Sequence, residues 1–354
     1  MLFRSGVDGV TAFGLRQTLA QAQFVSGGAI EAVATENPDR VGKTLPQIFG
    51  KVPRAFENIR VIPLESAVRS SDADIVYSAL PDEVAKVYNP ILARDRILIE
   101  GSTPNFDDTN MIMAGTLFSA GRISEFLSSK NRRDASILNV GSSAATILST
   151  ALMPLKTIGI ESVRVDMLHS WSSLGYTAVP EEFVDASAID FERIGQNGAQ
   201  KSRLETEPQH LLSSHGGPLS FAVDANTKIA PWLRGDHFRA AIKLRAATTL
   251  DRLEFLLDEF QAPGCLGKFD RERLKLLPDQ FPIELVDDSI VRKRDRIPSL
   301  RQEPDPMTIK LRIAKFDEEQ PDEVVVEGVG DNLSLGSSGS MVMAGLYAAE
   351  RGLV

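Results

Sequence analysis

The stretch that decides the fold reads Asp74-Ile75-Val76-Tyr77-Ser78-Ala79-Leu80-Pro81-Asp82-Glu83-Val84-Ala85. Its first half is a short apolar run, which is typical of a buried strand, and its second half begins a helical pattern. Pro81 and Asp82 are residues that favour the start of a helix. We therefore predict a strand over residues 74–79, a short loop, and a helix over residues 82–92.

The same alternation of strand and helix continues on both sides of this stretch. We predict further strands over residues 2–5, 29–34, 59–63, 97–100 and 136–140. Short apolar strands that alternate with helices indicate a parallel sheet built from crossover units. We therefore predict a doubly wound, Rossmann-like α/β domain over residues 1–140, completed by a C-terminal helical segment from residues 336–354.

After residue 140 the pattern changes to longer strands whose apolar residues alternate. We predict helices over residues 143–155, 188–212 and 250–260, and strands over residues 162–168, 240–244 and 307–313. In the first of these strands Val163, Val165 and Met167 fall on one face. Alternating strands with helices between them favour an α+β domain with a mostly antiparallel sheet, here over residues 141–335.

Composition and charge exclude several classes of protein. The 354 residues include 39 Lys plus Arg and 48 Asp plus Glu, a formal charge of −9, whereas nucleic-acid binding needs clustered basic residues. No apolar run reaches the roughly 18 residues of a membrane span, and the first residues lack the apolar core of a signal peptide. One cysteine, Cys265, and four histidines without metal-ligand spacing predict neither a disulfide nor a metal site. We expect a cytoplasmic protein that binds neither nucleic acid nor membranes.

A glycine loop, Gly6, Gly9 and Ala12, joins the first predicted strand to a helix. Glycines there let backbone N–H groups approach a pyrophosphate at the start of the helix, although glycine-rich turns without a ligand share this spacing. Thr35 and Arg40 follow the second predicted strand, where they could bind a ribose 2′-phosphate. That interpretation favours NADP over NAD, and the alternative is a polar surface loop.

Together with other stretches, these residues resemble the aspartate-semialdehyde dehydrogenase family, and most of all its archaeal and fungal branch. The resemblance is carried by residues 74–85, the glycine loop, residues 139–155 and 163–176, Gln200-Lys201 with Glu205-Thr206, and Asn332 with Gly336. It implies an NADP-type domain, a second domain that carries catalysis and joins subunits in a homodimer or higher homo-oligomer, and a small-molecule substrate. The cofactor cleft would comprise Gly6, Gly9, Ala12, Thr35, Arg40, Ser78, Ala79, Leu80, Pro81, Asn332 and Gly336.

Enzymes of this family reduce an aminoacyl phosphate to an aldehyde with NADPH, through a cysteine thioester. In this sequence the resemblance places Ser142 at the position of the nucleophile and Asp236 at that of the catalytic histidine. It places His169 where the family has a glutamine that holds the reacting carbonyl. Shifting the alignment by one residue would replace Asp236 by His237, but would reverse the inward face of the following strand.

The substrate-binding positions implied by the resemblance differ as well. The arginine for the substrate carboxylate falls on Ile229, and the arginine for the phosphate falls on Phe106. The phosphate-binding lysine is retained as Lys201. A serine hydroxyl is about five pKa units harder to ionise than a thiol, and its ester is a poorer hydride acceptor than a thioester. We therefore do not expect the cysteine–thioester reaction. Asp8 in the glycine loop, the short first strand and Leu335 in place of the archaeal arginine predict in addition that the cleft binds NADP weakly or has lost it.

Ser142, His169 and Asp236 are also the three residue types of an acyl-transfer triad, which is recognised by geometry and not by chain order. One hypothesis is an enzyme that acts on an acyl or amino-acid-derived substrate with these residues. The alternatives are a catalytically silent paralogue that acts as a dimerisation or regulatory partner, and a residual NADP-dependent semialdehyde dehydrogenase. A working triad requires His169 within hydrogen-bond reach of both Ser142 and Asp236.

Overall fold

The computed structural model describes residues 2–5, 32–50, 52, 54–70, 73–114, 120–130, 135–175, 179–183, 187, 189–190, 199–213, 219–260, 283–286 and 307–350. The chain divides into two compact units. The first contains the described residues up to Gly141 and from Ser337 onward, and the second contains those between Ser142 and Gly336. The roles that we predict for the two domains, cofactor binding in one and catalysis with dimerisation in the other, stay predictions.

The first unit contains a seven-stranded parallel sheet in the order β3-β2-β1-β4-β5-β7-β6. Its central strands are almost entirely apolar, as expected for strands that helices cover on both faces. The predicted doubly wound α/β domain is confirmed. The strands are β1 (Leu2–Ser5), β2 (Ala32–Thr35), β3 (Val61–Pro63), β4 (Ile75–Ala79), β5 (Ile97–Glu100), β6 (Met111–Met113) and β7 (Ser136–Asn139).

Helices of the first unit span Leu45–Phe49, Leu64–Ser70, Asp82–Leu92, Ala120–Ser128 and Gly339–Glu350. The helix predicted over residues 82–92 has those same bounds, and Pro81 precedes its first residue. The last helix packs on the sheet at Gly345, where a Cβ atom would collide with the Tyr77 hydroxyl. Glycine is therefore required for this helix to lie against β4.

The second unit contains a seven-stranded mixed sheet in the order β12-β13-β14-β11-β8-β10-β9. Strands β8 and β10, and β12 and β13, pair in parallel, and the other neighbours are antiparallel. The predicted α+β domain with a mostly antiparallel sheet is confirmed. The strands are β8 (Ile160–His169), β9 (Ile189–Asp190), β10 (Ala222–Ile229), β11 (Asp236–Leu244), β12 (Ile283–Leu285), β13 (Ile309–Phe316) and β14 (Glu323–Gly330).

Helices of the second unit span Ser143–Leu152, Ala199–Leu211 and Leu250–Asp258. The prediction of one helix over residues 188–212 is wrong at its start, because Ile189 pairs with Ile229 of the neighbouring strand β10 instead. The helix predicted over residues 143–155 ends at Leu152 and is followed by a 3-10 turn, Pro154–Thr157. Pro154 has no N–H with which to continue the α-helical ladder.

Candidate active site

Strand register in the second unit brings His169 and Asp236 together. Strands β8 and β11 are antiparallel, with His237 opposite Leu168, which sets Asp236 beside His169. The two side chains are fully buried, and His169 Nδ1 lies 3.5 Å from Asp236 Oδ2. Ile229 lies opposite His169 on β10. The pair is therefore fixed by backbone pairing and has an apolar neighbour on one side.

The Asp236 carboxylate accepts hydrogen bonds from a group of serines. Its Oδ1 accepts from the Ser170 N–H at 2.8 Å, the Ser170 hydroxyl at 2.9 Å and the Ser173 hydroxyl at 2.5 Å. Its Oδ2 accepts from the Ser143 hydroxyl at 3.2 Å. Burial alone would raise the pKa of Asp236, but the interaction with His169 and the bonds from Ser173 and Ser170 more than offset burial and lower that pKa. The carboxylate is thus held in its ionised form.

Ser142 caps the helix Ser143–Leu152. Its hydroxyl oxygen accepts a hydrogen bond from the Ala145 N–H at 3.4 Å, and its own N–H donates to Glu207 Oε2 at 2.6 Å. Arg203 in turn donates from its Nε to the buried Glu207 carboxylate. A capping hydroxyl that accepts one bond still has its proton to donate.

The three proposed triad residues therefore lie in one unit, but at the start of this helix it is Ser143 whose hydroxyl donates to Asp236. The hydrogen bond between His169 and Ser142 that a triad requires stays a prediction. Sequence reasoning missed Ser143, Ser170 and Ser173. The sequence feature that could have indicated them is the clustering of serines next to the predicted site residues Ser142 and His169, at residues 142–143 and 170–173.

Two glycines allow the start of the helix Ser143–Leu152 to approach this network. A Cβ atom on Gly330 would lie 2.9 Å from Ile147 Cγ1, and one on Gly336 would lie 2.5 Å from Ser143 Cβ and 2.6 Å from Ser143 Cα. All three distances are shorter than van der Waals contact. Gly336, which we predict at the cofactor cleft, thus has a packing role that requires no ligand.

A buried ion pair links the loop before β11 to the segment after β14. The Arg234 guanidinium donates from Nε to Asp331 Oδ1 at 2.8 Å, and from Nη2 to Asp331 Oδ2. Beside it, Asn332 Oδ1 accepts from the Gly235 N–H at 2.8 Å, and Asn332 Nδ2 donates to the Ser172 hydroxyl at 2.9 Å. The ion pair and the Asn332 amide hold in place the loop that leads into Asp236.

Part of the predicted cofactor cleft lies at the carboxyl edge of the first sheet. Gly6, Gly9 and Ala12 lie outside the described residues. Thr35 is the last residue of β2, and Arg40 is the last residue of the 3-10 turn Pro38–Arg40. Strands β2 and β4 flank β1, and dinucleotides bind at this edge of such sheets. Cofactor binding by Thr35 and Arg40 stays a prediction.

The residues predicted at the end of β4 lie at the same edge. Ser78 and Ala79 close the strand, and Leu80 and Pro81 lead into the helix Asp82–Leu92. The Ser78 hydroxyl donates to Asn89 Oδ1 at 2.9 Å and is buried. Its hydroxyl proton is therefore committed inside the unit.

Of the three residues that the resemblance places at the substrate, Lys201 is charged and the other two are apolar, and a phosphate-binding role for Lys201 stays a prediction. Lys201 Nζ lies 3.5 Å from Glu205 Oε1 and the lysine side chain is about half exposed. Ile229 is fully buried in an apolar cluster with Trp171 and Leu233, while Phe106 is partly exposed in the first unit. The residue that faces His169 is Asp236. The next residue, His237, packs on Trp232, with ring centroids 4.7 Å apart.

In the described part of the chain, no three His, Cys, Asp or Glu side chains are grouped to hold a metal ion. Over the same residues, no helix is both long and apolar enough to cross a membrane.

A Rossmann-like domain joined to a domain with a mixed sheet is the architecture of semialdehyde dehydrogenases, and solved structures of that class match it. The aspartate-semialdehyde dehydrogenase from Candida albicans with NADP has a TM-score of 0.77 and 14% sequence identity, covering 100% of this chain and 99% of that chain. Aspartate-semialdehyde dehydrogenase II from Vibrio cholerae has a TM-score of 0.72 and 14% identity, covering 99% and 98%. These likenesses establish the fold.

Proteins of similar sequence are aspartate-semialdehyde dehydrogenases too. The chain is 23% identical over 216 residues to the aspartate-semialdehyde dehydrogenase of Archaeoglobus fulgidus, covering 60% of this chain and 61% of the relative. It is 24% identical over 226 residues to that of Methanothermobacter thermautotrophicus, covering 61% and 63%. The matched region thus spans less than two thirds of these relatives, and no protein-family model matches the chain. By sequence the chain is similar to aspartate-semialdehyde dehydrogenases, and its fold matches their solved structures, in agreement with the resemblance.

Proposed function

We propose that the chain does not carry out the cysteine–thioester reduction of an aminoacyl phosphate. Instead it transfers or hydrolyses the acyl group of an acyl or amino-acid-derived ester. The observation that carries the proposal is the buried His169–Asp236 pair in the unit whose helix Ser143–Leu152 is capped by Ser142. Asp236 is ionised and hydrogen-bonded on both oxygens, which is the condition of the orienting carboxylate in a triad.

The arrangement of the pair assigns a role to each atom. His169 Nδ1 faces Asp236, and the proposal assigns Nε2 the role of the base that would accept the Ser142 hydroxyl proton. Ser142 Oγ would attack the ester carbonyl while Nε2 takes that proton, and the ester C–O bond would break as Nε2 returns the proton to the leaving alcohol. A water molecule would then attack the carbonyl carbon of the acyl-serine and give a proton to Nε2. The bond between that carbon and Ser142 Oγ would break, and Nε2 would return the proton to Ser142 Oγ. The balance is ester plus water to acid plus alcohol.

The start of the helix supplies donors for the oxyanion. The N–H groups of Ser143 and Ala144 are at the first two helical positions, which have no acceptor within a helix. The Ser142 N–H is bonded to Glu207 and is not offered to the substrate. These residues support acyl chemistry without a second reactant other than water.

We propose in addition that NADP binding is weak or lost. The resemblance would set Asn332 against the nicotinamide amide, but both ends of the Asn332 side chain are already bonded, to Gly235 and to Ser172. A nicotinamide that displaced either of these buried hydrogen bonds would lose about 1 kcal/mol for each. This competition argues for weak NADP binding, and no step of the proposed reaction uses the nicotinamide. Titration with NADPH, followed by its fluorescence, tests this: a micromolar dissociation constant contradicts weak binding.

The catalytic test compares two neighbouring serines. Wild-type protein is assayed with p-nitrophenyl esters and with a fluorophosphonate probe, which labels activated serines. We expect Ser142→Ala to lower turnover by about 10³-fold or more and to remove labelling. Ser143→Ala, the matched control, should lower turnover far less, because it removes one of the bonds to Asp236 and not the nucleophile.

A second candidate is a catalytically silent paralogue that acts through dimerisation. It is favoured by one observation: the Asp236 carboxylate is already satisfied by serines, in a network that needs no substrate. Absence of both ester turnover and probe labelling in folded wild-type protein would decide for this candidate. The homodimer that the resemblance implies and the cytoplasmic location that we expect from composition are part of either proposal, and sedimentation velocity tests the first of them.

A further inference from the structure

We infer that the acyl group accepted at this site is uncharged and apolar, and that an acyl group carrying a carboxylate or phosphate is rejected. The inference rests on the proposed acyl-transfer function and names its substrate class. It follows from the charges that surround the site and from the side chains beside His169.

The cations that flank the site are already neutralised by the chain itself. Arg234 lies two residues before Asp236. Arg203 donates to Glu207, whose carboxylate also accepts from the Ser142 N–H, and Lys201 is on the same helix as Arg203. Each of the three is bound by a carboxylate: Arg234 by Asp331, Arg203 by Glu207, and Lys201 by Glu205. An anionic substrate would have to share one of these cations with the carboxylate that already neutralises it, which weakens the attraction.

Two buried carboxylates contact the start of the helix Ser143–Leu152, each already paired within the chain. Glu207 is fully buried, and its Oε2 lies 2.6 Å from the Ser142 nitrogen. Asp236 is ionised and accepts a hydrogen bond from the Ser143 hydroxyl. An acyl group with its own negative charge would be desolvated beside ion pairs that are already balanced, which is costly in a buried site.

On the side away from Asp236, the neighbour of His169 in the sheet is hydrocarbon. In the sheet, His169 lies between Asp236 on β11 and Ile229 on β10. The buried residues Trp171, Ile189, Ile229 and Leu233 form one cluster, with Leu174, Val179 and Phe183 packed against it. The Trp171 and Phe183 rings are stacked, with centroids 5.4 Å apart. An acyl chain directed away from Asp236 therefore meets aliphatic and aromatic surface.

The experiment compares two p-nitrophenyl esters of equal length, the butyrate and the hemisuccinate, which differ in ending on a methyl or a carboxylate. With folded wild-type protein we expect kcat/KM for the butyrate to be higher by about 100-fold, the factor typical of leaving a charge unpaired in a buried site. Similar values for both esters, or a preference for the hemisuccinate, would overturn the inference and leave the proposed function standing. No turnover of either ester would remove the proposed function, and the inference with it.

A pair of variants tests where the acyl chain lies. Leu233→Ala shortens a residue of the cluster and should raise the ratio of kcat/KM for the hexanoate over the butyrate about fivefold or more. Ile242→Ala, a control in the buried face of β11 outside the cluster, should leave that ratio unchanged. An equal change in both variants would show that the cluster does not contact the acyl chain. If neither variant folds, the comparison of the two esters on the wild-type protein still decides.

Discussion

Removing the charge of Asp331 should destabilise the second unit more than removing both charges of the buried pair. Arg234 is 1% exposed and Asp331 is 5% exposed, so neither charge reaches bulk water. Asp331→Asn keeps the shape of the side chain but leaves the Arg234 guanidinium buried without its carboxylate. Arg234→Met together with Asp331→Asn removes that charge and fills the space with a neutral side chain.

The magnitude follows from the bonds that the pair makes. Asp331 accepts two bonds from Arg234, one from the Leu333 N–H at 2.9 Å and one from the Ser334 hydroxyl at 2.7 Å. Breaking a buried ion pair from one side costs about 3–5 kcal/mol, whereas its neutral replacement is often close to neutral in stability. We expect Asp331→Asn to lower the free energy of unfolding by about 4 kcal/mol. The double variant should be less destabilised than the sum of the two single variants by about 2 kcal/mol or more.

Tryptophan fluorescence is the appropriate assay, because both tryptophans of the 354-residue chain, Trp171 and Trp232, are buried in the second unit. Urea unfolding followed by this signal therefore reports on that unit and not on the other. Arg239→Met is the control, since the Arg239 side chain is about half exposed in its pair with Glu327 and should cost less than about 1 kcal/mol. A loss below about 1 kcal/mol for Asp331→Asn, or additive single variants, would refute the reasoning.

Two further predictions concern the same unit. The pKa of Asp236 is lowered in the folded protein, so its carboxylate stabilises the fold above the unfolded value of about 4, and this stabilisation is lost as the pH falls through the lower folded value. The difference in unfolding free energy between wild type and Asp236→Asn should therefore be full near pH 6 and shrink below about pH 4, and a difference that stays constant down to about pH 3 would contradict this. Gly330→Ala should cost about 1–3 kcal/mol in urea unfolding, because its Cβ atom would lie 2.9 Å from Ile147 Cγ1. Ile147→Ala should lower the free energy of unfolding less in the Gly330→Ala variant than in the wild-type protein. Equal losses in the two proteins would exclude the steric explanation.

The sequence by itself determined the first unit most completely. Strand β5 and the helix Asp82–Leu92 have the bounds predicted for them, because their signals are local: a buried apolar run for the strand, and Pro81 with Asp82 at the start of the helix. A central parallel strand is buried on both faces, so its apolar run is visible without knowledge of its neighbours. The resemblance to the aspartate-semialdehyde dehydrogenases could likewise be recognised from stretches of sequence alone.

Tertiary structure decided what depends on pairing between distant parts of the chain. The short strand Ile189–Asp190 forms because it pairs with β10. Strand β10 itself contains several polar residues, so its sequence does not show the apolar pattern by which a strand is predicted. The resemblance named His169 and Asp236, but their contact follows from the register of β8 against β11, which the local pattern does not specify. That Ser143 and not Ser142 is bonded to Asp236 depends in turn on how the helix start packs beside Gly336. Residue types are visible in a sequence, whereas the atoms that meet are set by long-range packing.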